Sequence, residues 1–72
     1  MRLFVENIKG YMENYDNVYK VNIKKVNNKN HLVIYYNSYK AADTILLKNV
    51  KLAYLIDVES MHEYFRYVKS SK

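Results

Sequence analysis

Residues 18–40 read VYKVNIKKVNNKNHLVIYYNSYK, and the fold turns on how this stretch doubles back on itself. Tyr19, Val21 and Ile23 alternate with Lys20, Asn22 and Lys24. A period of two sends successive side chains to opposite faces of a strand, one wet and one buried. The alternation slips at Lys24-Lys25-Val26, where a bulge is needed to return Val26 to the buried face. Asn27-Asn28-Lys29-Asn30 is polar and rich in a residue that tolerates positive φ, so it reads as a hairpin tip. The returning segment His31–Asn37, HLVIYYN, is apolar on both faces and predicts a strand inside the sheet.

On the N-terminal side, Phe4, Ile8, Met12 and Tyr15 are spaced by four, four and three, which stacks them on one face of a helix over residues 1–15. Gly10 sits inside that pattern and costs about 1 kcal/mol against Ala in a helix interior, and the alternative reading is that Arg2–Val5, RLFV, begins a strand. The cluster NYDN at 14–17 then favours a turn. On the C-terminal side, Val50, Leu52, Tyr54, Ile56 and Val58 fall on one side of a further strand. Ser60 and Glu63 have the spacing of a capping box, which predicts a helix with Met61, Tyr64, Phe65 and Val68 as its buried stripe. Between these, SYKAADTILLKN at 38–49 fits either a short helix capped by Ser38 or a strand after a turn at Lys40–Asp43. The expectation is an α+β fold: one domain over residues 1–72, a mainly antiparallel sheet of three to four strands, and an N-terminal and a C-terminal helix packed on it.

Composition narrows the function. The chain has 72 residues, a net charge of +5 and half its residues hydrophobic, too apolar for disorder but short enough that the core is thin. Without cysteine, neither disulfides nor thiolate metal sites supplement that core, which points to an intracellular, cytoplasmic setting. The apolar run Leu3–Val5 is far shorter than the roughly 7–15 residues of a signal-peptide core. Neither LVIYY nor LAYLI approaches the roughly 18 residues that suggest a membrane span, so no membrane association is expected.

Catalysis has few resources here. There is no cysteine nucleophile and no glycine-rich phosphate loop, and the candidate imidazole bases are His31 and His62. Glu59, His62 and Glu63 form the tightest cluster, but capping by Ser60 and Glu63 already accounts for it. His31 has no acidic or imidazole partner near it in sequence, its polar neighbours being Lys and Asn. No enzyme activity, metal or cofactor is expected.

Two binding functions remain. Residues 18–40 hold five lysines, four tyrosines and no acidic residue. A small regulator or inhibitor acting on a protein with an acidic patch is the first expectation, in the style of a phage or mobile-element protein, with homodimerisation a further option. Tyrosine suits it, since nine are more than a core of this size hides, and tyrosine is enriched at binding hot spots. The alternative is nucleic-acid binding by the basic hairpin, with Lys20, Asn22 and Lys24 facing out beside Tyr35 or Tyr36. The contact set for either partner is Tyr19, Lys20, Asn22, Lys24, Lys25, Lys29, Tyr35, Tyr36, Tyr39, Arg66, Tyr67 and Lys69.

Overall fold

The computed structural model describes residues 1–70, and these form strands joined by tight turns and one short 3-10 turn. The strands are β1 (Arg2–Asn7), β2 (Met12–Tyr15), β3 (Val18–Val26), β4 (Lys29–Tyr36), β5 (Asp43–Leu46), β6 (Val50–Ile56) and β7 (Glu63–Val68), with the 3-10 turn at Leu47–Asn49. They make two antiparallel sheets, one ordered β2-β1-β6-β7 and the other β3-β4-β5. The fold is therefore all-β, not α+β.

The two sheets share one core. Leu3 and Val5 of β1 and Val50, Ala53 and Leu55 of β6 meet Val18 and Val21 of β3 and Leu32 and Ile34 of β4. Ile45, Leu47, Phe65 and Tyr67 pack at its margin. Backbone bonds between Met1 and Val18, in both directions at 2.8 and 3.1 Å, tie the start of β1 to the start of β3 and so join the sheets at one corner.

Bulges decide which residues face this core. Val18 pairs with Tyr36 and Lys20 with Tyr35, so Tyr19 is an extra residue on β3. Val18 and Val21 both point inward because of it. On β6 the pairs Glu6–Leu52 and Asn7–Val50 skip Lys51, which lets Val50 face the core together with Ala53 and Leu55. The expected inward row Val50, Leu52, Tyr54, Ile56 thus holds only at Val50. Without the bulge, simple alternation selects the wrong face. The hairpin tip follows the opposite correction: Lys25 pairs with Asn30 and Val26 with Lys29 in unbroken register. No bulge occurs at Val26, which stays exposed.

Both terminal helices are replaced by strands. The spacing of Phe4, Ile8 and Met12 is coincidental, and Leu3 and Val5 are the buried residues. The side-chain oxygen of Asn7 accepts from the N–H groups of Lys9 and Tyr11 at 2.9 and 3.1 Å, forming the turn between β1 and β2. Gly10 adopts φ +91° in that turn, so the residue that penalised a helix is the one the turn requires. At the other end, Ser60 Oγ accepts from the N–H of His62 and Asp57 Oδ1 from that of Glu59. Met61, at φ 61°, donates its N–H to the Asp57 carbonyl at 2.7 Å. These local bonds close a loop between β6 and β7 instead of capping a helix. Met61, Tyr64 and Val68 are exposed, and only Phe65 of the proposed stripe packs inward, joined by Tyr67.

The hairpin itself agrees with the sequence reading, tightened to a two-residue turn at Asn27-Asn28 with φ of 51° and 65°. Of the two options for residues 38–49, the chain takes the strand, β5. The core ends before the hairpin does, since Ile23 points inward in register yet is 44% exposed. Leu32→Ala should cost about 2–5 kcal/mol in urea unfolding, whereas Ile23→Ala, at the same ladder rung, should cost under about 1 kcal/mol because half its side chain already meets water. Equal losses would show that the core extends toward the tip.

Candidate nucleic-acid interface

The outer face of β3-β4-β5 is assembled by register. Lys20 lies opposite Tyr35, Asn22 opposite Val33, and Lys24 opposite His31, with Thr44 and Leu46 of β5 completing the rows. Val33 is buried although it lies on this outer face, flanked in the ladder by Asn22 and Thr44. The bulge at Tyr19 brings that ring beside its neighbour, and the Lys20 ammonium stands 5.9 Å from its centroid. Both Lys20 and Lys24 reach over Tyr35, at 5.0 and 5.4 Å. His31 Nδ1 lies 2.9 Å from the Lys29 carbonyl, so the ring is held by its own strand.

The charge is segregated between the two halves of the molecule. Residues 18–50, which build β3, β4, β5 and the 3-10 turn, carry six lysines and a single carboxylate, Asp43. The remainder of the chain carries six basic and six acidic residues. The whole net charge of +5 therefore belongs to the three-stranded sheet and its connections. The ion pairs follow the same division. Arg2–Asp16 at 2.5 Å, Lys51–Glu6 at 3.7 Å and Arg66–Glu63 at 2.6 Å all lie on the four-stranded half. Among the described residues, Lys20, Lys24, Lys25 and Lys29 form no ion pair. A one-signed surface of this kind raises the local concentration of anions.

The remaining predicted contact residues separate into several places. Lys25 is near the hairpin tip and points to the other face from Lys24; Lys29 begins β4. Tyr39 is fully exposed in the loop before β5. Tyr36 packs against the core, its hydroxyl donating to the Asp43 carboxylate while Lys40 sits 4.3 Å over its ring. Burial, and then the bond to Asp43, pushes the Tyr36 phenol well up from its ordinary range. On β7, Arg66 grips Glu63 through two guanidinium nitrogens at 2.6 and 3.0 Å and holds that carboxyl below its usual range. Tyr67 packs on the core margin, and the Lys69 ammonium donates to the Lys48 carbonyl at 3.1 Å. Arg66 and Lys69 thus engage different partners, Glu63 of β7 and the 3-10 turn at Lys48.

Sequence reasoning missed the outer face of the other sheet. Phe4 and Tyr54 are opposite one another in register and stack at 5.0 Å with an 18° interplanar angle, and Arg66 lies 5.8 Å over Tyr54. The signal was an aromatic in each of two strands, concealed when Phe4 was given to a helix. Among the described residues, no helix is long and apolar enough to cross a membrane. No family model matches the chain, and no curated protein or solved structure does.

The Tyr36–Asp43 bond gives a test of this corner. Tyr36→Phe should lower stability by about 1 kcal/mol at neutral pH, the ordinary worth of a partly exposed bond to a carboxylate. A raised phenol pKa stabilises the fold below the ordinary value near 10 and loses that contribution as pH climbs through the folded-state value. The gap between wild type and variant in urea midpoints should therefore be constant through neutral pH and shrink above about pH 10. A gap that widens there contradicts the assignment.

Proposed function

We propose that this chain binds single-stranded nucleic acid through the outer face of β3-β4-β5. The observation that supports it is the placement of the entire net charge on that half of the molecule, with Lys20, Asn22 and Lys24 around Tyr35 and with Tyr19 alongside. Lysine meets phosphate, and an aromatic face meets an unstacked base. Tyr35, with Tyr19 alongside, offers aromatic faces that only unstacked bases can use, so the open strand is the better substrate.

The lysines over Tyr35 do not block that use. A cation on an aromatic face at an exposed site is worth about 0.5–1 kcal/mol, while a base stacked on an aromatic side chain is worth about 1–3 kcal/mol. A base can displace the ammonium groups, which then turn to the flanking phosphates. Tyr19, 59% exposed, and the fully exposed Tyr39 offer further rings.

A second reading uses the same face: a regulator or inhibitor whose partner is a protein with an acidic patch. The exposure of Tyr19 and Tyr39 on the half that carries Lys20 and Lys24, which have no ion-pair partner among the described residues, favours it, because tyrosine with complementary charge is hot-spot chemistry. Anisotropy of labelled single-stranded RNA, single-stranded DNA and duplex DNA separates the two. The proposal expects a preference for single strands that persists near physiological salt. Lys20→Gln with Lys24→Gln should reduce the slope of log K against log salt by about 1.4, two contacts at about 0.7 each. Tyr35→Leu should weaken binding by about 1–3 kcal/mol with the slope unchanged. Binding that vanishes with modest salt, without preference among the three, turns the assignment to the protein partner.

A further inference from the structure

A second basic site lies where the two sheets meet at the hairpin end. A groove of about 320 Å³ is lined by Lys29 and Asn30 of β4, Leu46 of β5, Leu47 and Lys48 of the 3-10 turn, and Tyr67 of β7. Its walls differ in chemistry. Lys29 and Lys48 supply ammonium groups, Asn30 an amide that both donates and accepts, and Leu46, Leu47 and Tyr67 an apolar and aromatic surface. Among the described residues, no carboxylate lines it and neither Lys29 nor Lys48 has an ion-pair partner.

The local fold holds these groups in place. The turn at Asn27-Asn28 fixes the start of β4, and Lys29 and Asn30 follow directly. The pairing of His31 with Leu46 brings the 3-10 turn alongside Lys29. Lys69 on the β7 side donates its ammonium to the Lys48 carbonyl at 3.1 Å and its own N–H to the Lys51 carbonyl at 2.9 Å, anchoring that turn to the other sheet. A third positive charge thereby stands next to the groove. Its volume is at the low end for ligand pockets, which run from about 300 to 1,000 Å³.

We infer that this groove takes one nucleotide, its phosphate on Lys29 and Lys48 and its base against Leu46, Leu47 and Tyr67, with Asn30 at the base edge. Two cations alone suit any phosphate, and an apolar wall alone suits any small aromatic. The combination within one small groove is what selects a phosphate joined to a base. The inference rests on the nucleic-acid reading for its biological ligand, a strand that runs over the outer face toward Lys29. The site itself stands on the groove's own lining.

The test is an amide-resolved NMR titration of the whole chain with cytidine and adenosine monophosphates, with the nucleosides and inorganic phosphate as half ligands. The monophosphates should shift the amides of Asn30, Leu47, Lys48 and Tyr67, at least about tenfold more tightly than either half. Lys29→Gln with Lys48→Gln should abolish those shifts, and Lys20→Gln with Lys24→Gln should leave them intact. Inorganic phosphate binding as well as the monophosphates, or shifts confined to the outer face, overturns the nucleotide site. Oligonucleotide titrations then separate the two claims. If monophosphates leave the groove amides unmoved while strands bind the wild type and the Lys29/Lys48 double variant equally, the groove fails and the sheet-face reading stands. If monophosphates fill the groove while no strand binds, the groove stands as a free-nucleotide site and the polymer reading fails.

Discussion

The core strands β1, β3, β4 and β6 each have a side to bury, and the constraint on which the structure depends is keeping that side apolar over lengths that the sequence does not alternate perfectly. Inserted residues solve the problem. Tyr19 on β3 and Lys51 on β6 are each skipped by the partner strand, and a third register shift lies between Leu55 and Ile56 where β6 meets β7. Each shift resets the parity, so that Val18 with Val21, and Val50 with Ala53 and Leu55, reach one core. Nine buried side chains then hold two sheets that neither could stabilise alone.

The same insertions shape the surface. At β3 the extra residue keeps Tyr19 and Lys20 close to one another, and one residue later the alternation resumes with Asn22 and Lys24 on the outer side. A regular strand would have sent Tyr19 and Lys20 to opposite faces. The packing requirement at Val18 and the placing of Tyr19 beside Lys20 are therefore one structural event. Carboxylates concentrate on the other sheet, where Glu6, Asp16 and Glu63 each find a cation. Asp43 is the exception on the basic half, and it is occupied by Tyr36 and Lys40.

The hairpin was legible because its signals are local and agree: alternation, an Asn pair able to take positive φ, and an apolar return strand. The terminal strands were not, because short strands separated by tight turns produce apolar spacings of three and four by chance. Gly10 and Asn7 carried the correct signal for the first turn, and it was outweighed by the spacing of Phe4, Ile8 and Met12. At the second, Ser60 does bond a nearby backbone N–H, as a capping residue does, but in a loop. Of the candidate contact set, Tyr19, Lys20, Asn22, Lys24 and Tyr35 come together because they belong to one hairpin. Arg66, Tyr67 and Lys69 disperse because their grouping assumed a helix. The groove at Lys29 and Lys48 joins residues from three separate segments, and no sequence pattern could bring them together.

The electrostatic arrangement also bears on stability. Lys20, Lys24, Lys25 and Lys29, without an ion-pair partner among the described residues, repel one another, and a core this thin has little to set against that repulsion. Spreading the carboxylates evenly would relieve it at no cost in packing, since all of these positions are on the surface. The four-stranded sheet shows that the chain accommodates such pairing where it occurs. On the proposed reading, an anion supplies the missing charge on the uncompensated half when bound. Such a ligand stabilises the folded chain in proportion to its preference for it over the unfolded one. On that reading, the repulsion in the free protein and the proposed affinity for a polyanion have a single origin, the six lysines and one carboxylate of residues 18–50.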